Sequence, residues 1–109
     1  MAGTANPSIE LAAGVSAQSN FNIKDGVWHH VVGIVDRSKS EALIYIDGIL
    51  KNSMPFSASA YNDSNLIIGA WSKTASVENF NGTLDDVRIY NRALDANEVK
   101  SLYNVYWGD

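Results

Sequence analysis

The stretch "ALIYIDGILKN", residues 42–52, constrains the fold more than any other part of the chain. Two strand-like runs flank Asp47-Gly48, a pair that tolerates the positive φ angles of a two-residue hairpin turn, so the chain is expected to double back here into antiparallel strands. More strand signals lie around it. "VWHHVVGIVD" (27–36) is rich in β-branched and aromatic residues and largely apolar on both faces, which reads as a strand. "SIELAAG" (8–14) alternates Ile9, Leu11 and Ala13 against Ser8, Glu10 and Ala12 and stops at Gly14, while "NLIIGA" (65–70) reads as another short strand. Segments 53–64 and 71–79 have the composition of loops.

"FNGTLDDVRIYNRALDANEV" (80–99) divides in two. Its first part predicts a strand over 83–90, in which Leu84, Val87 and Ile89 alternate imperfectly with polar neighbours and the phase slips near Asp85. Its second part predicts a helix. Asp95 as N-cap and Glu98 three positions on form a capping box, Leu94 and Val99 can staple across it, and the helix is expected to end near Asn104. Spaced strands, turn signals and one short C-terminal helix point to an all-β antiparallel sandwich in a single domain spanning 1–109.

Composition narrows the partners. With 109 residues, 46% hydrophobic and 18% charged, the chain has room for one core and not two. A formal charge of −4 and no Lys/Arg cluster disfavour a phosphate backbone, so nucleic acid is not an expected partner. There is no cysteine, hence no disulfide framework and no thiolate metal site. The apolar runs fall far short of the roughly 18 residues a membrane helix needs, and "MAGTANPSIELAAG" lacks the basic start and apolar stretch of a signal peptide. The chain reads as soluble, without a membrane span or visible export signal.

Four elements taken in order resemble the laminin-G-like branch of the concanavalin A-like jelly rolls, which includes pentraxin-like modules. They are "DGVWHHVVGIVD" against a Trp-x-His-Val strand, "ALIYIDGIL" against a Tyr-x-(Asp/Asn)-Gly hairpin, "NLIIGA" against an Ile-Gly strand, and "FNGTLDDVRIYNRALDANEV" against Phe-x-Gly-x-(Ile/Leu)-Asp-(Asp/Glu)-Val-x-Ile-Tyr followed by a helix. The resemblance spans residues 8 to 103 and aligns with the C-terminal half of such a jelly roll. It implies a truncated sandwich with uncovered strand edges, and therefore two copies associating as an isologous homodimer. It also implies an extracellular setting, with a glycan or an extracellular protein as partner and calcium as an optional ion.

The chemistry-bearing residues fit a binding module better than an enzyme. His29 and His30 are neighbours on an expected strand and point to opposite faces, so they cannot share one ion; one is expected inside the sandwich and one outside, with Trp28 filling the core on the side of His30. Asp85 and Asp86 diverge for the same reason, whereas glycosidases hold two facing carboxyl groups about 5–10 Å apart. The Glu-x-Asp-x-x-Glu run of the jelly-roll glycanases is absent. Trp71 and Tyr61 could stack on a sugar face with Asn62 and Asp63 taking its hydroxyls, and Tyr106 and Trp107 are further rings of this kind. The alternative is that Trp71 caps the core and "VYW" packs back on the sheet. Asp85 and Asn81 are the candidate calcium donors, with Asn62 and Asp63 of "YNDSN" beside them, although anchoring of backbone N–H groups is the favoured use for Asp85. A structural or protein-interaction module that self-assembles without a small ligand is the rival function.

Overall fold

In a computed structural model of the protein, residues 6–10, 16–55, 68–69 and 80–107 are described. Strands β1 (Ser8–Glu10) and β2 (Ser16–Gln18) pair antiparallel as one small sheet. Strands β3 (Val31–Asp36), β4 (Glu41–Ile46) and β5 (Ile49–Pro55) form a second antiparallel sheet in that order, and helix α1 runs from Ala96 to Trp107. The Asp47-Gly48 turn forms as expected, with φ of +53° and +80°, the left-handed pair that matches the twist of a two-residue hairpin.

Strand β4 is the centre of the molecule because both of its faces are covered. Ala42, Ile44 and Ile46 join Ala17 in a buried cluster against which Ile9, Phe21 and Ile23 pack, so the β1–β2 layer lies on that face. Tyr45 points the other way and is buried with Ile34, Leu94 and Val99, which docks the helix and its preceding turn on the opposite face. Full burial of side chains such as Ile44, Ile46 and Val99 contributes about 1.5–3 kcal/mol each. Gly33 permits the close approach of the two layers, since a Cβ there would sit 3.0 Å from Ile9 Cδ1 and 3.2 Å from Ile9 Cβ. A register shift after Ile44 leaves Lys51 as the extra residue between Leu50 and Asn52, and its ammonium lies 4.4 Å from the centre of the Phe21 ring. Asn52 Nδ2 then donates to the carbonyl of Gln18 at 2.8 Å, tying the edge of the larger sheet to β2.

Four expectations change. The strand expected from residue 27 begins at Val31, because Gly26 takes φ +78° and the Asp25 carboxylate accepts the Val27 N–H at 3.1 Å, a local turn that competes with the ladder. Trp28, expected in the core, is 57% exposed on that turn segment. Residues 83–90 form no strand, since Asp86 adopts φ +52° and bends the chain, and Leu84, Val87 and Ile89 stand exposed. The helix runs to Trp107, one turn past its expected end, because Tyr103, Tyr106 and Trp107 surround the ring of His30. The expected strand at 65–70 lies almost wholly outside the described residues. Among those residues no helix is long and apolar enough to cross a membrane.

Candidate functional site

Two polar arrangements stand out, one at the β4–β5 turn and one at the start of the helix. The first is built on Asp47. Its backbone N–H donates to the His30 carbonyl at 2.8 Å, its Oδ1 accepts the His30 N–H at 2.9 Å, and its Oδ2 lies 2.7 Å from His29 Nδ1. On the far side of the same ring, His29 Nε2 lies 2.8 and 2.9 Å from the two carboxylate oxygens of Asp25. A carboxylate can only accept, so a ring held between two of them is stabilised with both nitrogens protonated. The pKa of His29 is accordingly raised, first by its hydrogen bond to Asp47, while burial opposes the charge and Asp25 adds to it. The Val27 N–H, and then His29, hold Asp25 below the ordinary carboxylate value.

His30 sits in a different environment. Burial pushes its pKa down, and its Nδ1 is enclosed without a hydrogen-bond partner beside Tyr103, Tyr106 and Trp107. Tyr103 and Trp107 stack with centroids 5.1 Å apart, and Arg88 Nη2 donates to the Tyr106 hydroxyl at 3.1 Å. Tyr106 and Trp107 thus lie beside His30 while each stays more than 40% exposed, Val105 is exposed, and the two histidines face different neighbours. The hydrogen-bonded histidine is His29, with a side chain only 11% exposed, so neither histidine is simply outside.

The second arrangement is the helix start. Asp95 Oδ1 accepts the Glu98 N–H at 2.8 Å and Glu98 Oε1 accepts the Asp95 N–H at 3.0 Å, which completes the expected capping box, while Leu94 and Val99 share one buried cluster as the expected staple. Glu98 also accepts from Arg92 Nη1 at 2.9 Å and pairs with Nη2, which holds its carboxyl down to about 2. An open cleft of about 400 Å³ lies between the 90–95 segment and the helix, with Tyr90, Leu94, Asn97 and Ser101 beside the Arg92–Glu98 pair.

Of the expected sugar contacts, Trp71, Tyr61, Asn62 and Asp63 lie outside the described residues. Asp85 and Asn81 are both exposed, and Asp85 Oδ1 accepts the N–H of its neighbour Asp86 at 2.8 Å. No group of three or more His, Asp and Glu side chains suited to a metal ion occurs among the described residues, and Asn62 and Asp63, the other expected calcium donors, lie outside them. The Asp25–His29–Asp47 set and the Tyr90–Arg92 cleft escaped the sequence reading. The signal for the first was available in the hairpin register, which continues Val31↔Ile46 to His30 opposite Asp47.

The two antiparallel sheets and the docked helix define a truncated β-sandwich. The sequence pattern of the concanavalin A-like lectin/glucanases superfamily matches residues 2–100, and the chain belongs to that family. An S-layer domain-containing protein from Clostridium thermocellum ATCC 27405 (residues 221–444) is similar in structure, with a TM-score of 0.53 and 22% identity over 83% of this chain and 45% of that one. At that identity the likeness is one of fold, and this chain spans less than half the length of that neighbour. No curated protein matches the sequence.

Proposed function

We propose that this chain is a non-catalytic, lectin-like module that binds neutral carbohydrate. The observation that carries the reading is the cleft between Tyr90 and the helix. Its volume of about 400 Å³ falls in the range of small-ligand sites, Tyr90 offers a half-exposed ring for the apolar face of a sugar, and Asn97, Ser101 and Arg92 offer hydroxyl partners. Asp95 and Glu98 outnumber Arg92 there, and the chain as a whole is at −4, so anionic sugars are disfavoured. Trp71, Tyr61, Asn62 and Asp63 are the rival contacts for the same ligand class.

Calorimetric titration with β-1,3- and β-1,4-linked glucose oligosaccharides tests the proposal. Binding is expected, and Tyr90→Ala should weaken it roughly tenfold, about 1.4 kcal/mol. An unchanged affinity in Tyr90→Ala with loss in Trp71→Ala would move the ligand to the other surface. Release of reducing sugar from a β-glucan by the protein would overturn the non-catalytic reading.

A second reading is self-assembly. It is favoured by Leu84, Val87 and Ile89, the last 71% exposed, which follow one another on a segment without strand partners among the described residues. Apolar side chains so grouped mark association surfaces.

A further inference from the structure

We propose that Asp25, His29 and Asp47 form a pH-operated clamp that holds the Trp28 segment against the β4–β5 turn below the titration of His29 and releases it above. The clamp reaches past the last backbone bond between the two pieces of chain, that from the Asp47 N–H to the His30 carbonyl, to the bend at Asp25. Asp25 lies on the bend before β3, Asp47 lies in the hairpin turn, and the His29 ring bridges them with contacts of 2.7 to 2.9 Å on both nitrogens. Protonated, His29 donates to both carboxylates. Neutral, it has a single N–H, and the other nitrogen presents a lone pair to an anionic oxygen.

The weaker of the two contacts is decided by what else holds each carboxylate. Asp47 is fixed by the His30 N–H and by its own backbone bond to His30, and its side chain is 26% exposed. Asp25 has the Val27 N–H within its own bend, and its side chain is 42% exposed. The Asp25 contact therefore opens first, freeing the bend that carries Val27 and Trp28. The other groups around the ring do not cancel this. The Phe21 ring meets His29 edge-on, with Lys51 of β5 over that ring, and His30 is kept neutral by its burial. The two nearest charges are both negative, and they raise the proton affinity of His29.

The test is a proton and nitrogen NMR titration of the histidine rings and of the backbone amides of residues 24–30, in the full chain and in Asp25→Asn. Asparagine keeps an oxygen for the Val27 N–H and removes the charge, so the bend survives in the variant. In the wild type, His29 should titrate above 6.5, the ordinary value. The exchange protection of Val27, corrected for intrinsic rate, should fall through the same pH range. Each unit by which the wild-type value exceeds that of the variant should appear as a tenfold rise in the opening constant. Asp25→Asn should show a lower His29 value and a Val27 protection that no longer depends on pH. The proposal is overturned if His29 titrates at or below 6.5, or if the 25–28 amides ignore its titration.

Discussion

At the scale of single residues, Asp47 and two glycines do the most. Aspartate suits the turn for its left-handed φ, but its carboxylate also holds the His29 ring and the His30 N–H, so one side chain both shapes the hairpin and joins it to the chain before β3. Asp47→Ala should leave two donors unpaired and destabilise the fold by about 2 kcal/mol in urea denaturation. Gly33→Ala and Gly26→Ala make a matched pair. The first introduces a Cβ against Ile9 between packed layers and should cost about 1–3 kcal/mol; the second meets nothing within 4 Å and should cost only the left-handed strain of about 1 kcal/mol. Equal losses would mean that the Ile9 contact moves aside. His29 also sets a pH dependence. Its folded pKa is raised, so its contribution to stability is full below the unfolded value near 6.5 and is lost as pH rises through the folded value.

At the scale of elements, helix α1 shows how far local chemistry reaches. The capping box and the Leu94–Val99 staple set where it starts, and both were legible because each involves residues within five positions of each other. Asp95→Ala should destabilise by about 1 kcal/mol with little change at Asp95→Asn, read from thermal unfolding. Glu98 carries the opposite pH sign to His29. Its folded value of about 2 is depressed by Arg92, so that contribution is present above its ordinary value of 4.5 and fades as pH falls through about 2. Glu98→Gln should flatten the acid limb of the stability profile. The far end of the helix was less legible, because Tyr103, Tyr106 and Trp107 are kept helical by packing around His30, more than seventy residues earlier.

At the scale of the whole molecule, β4 lies between the β1–β2 layer and the helix, while Val31, Ile49 and Leu50 on its flanking strands are exposed. We expect a dimer at micromolar concentration by light scattering behind size exclusion, with and without calcium. A monomer in both conditions would remove self-assembly. A dimer that dissociates in chelator would assign the ion to the interface.

The amino-acid sequence alone determined the hairpin, the helix start and the family, since each rests on short-range turn and cap chemistry or on ordered motifs. The tertiary structure decided the rest. Whether 27–30 stays in the ladder depends on the Asp25–Val27 turn together with the Asp47 carboxylate, seventeen residues on, that takes the His30 N–H, and whether 83–90 extends as a strand depends on the bend at Asp86 and on a partner the alternation alone cannot supply. A period-two pattern records which faces are apolar, whereas pairing and burial require a second surface brought from elsewhere in the chain.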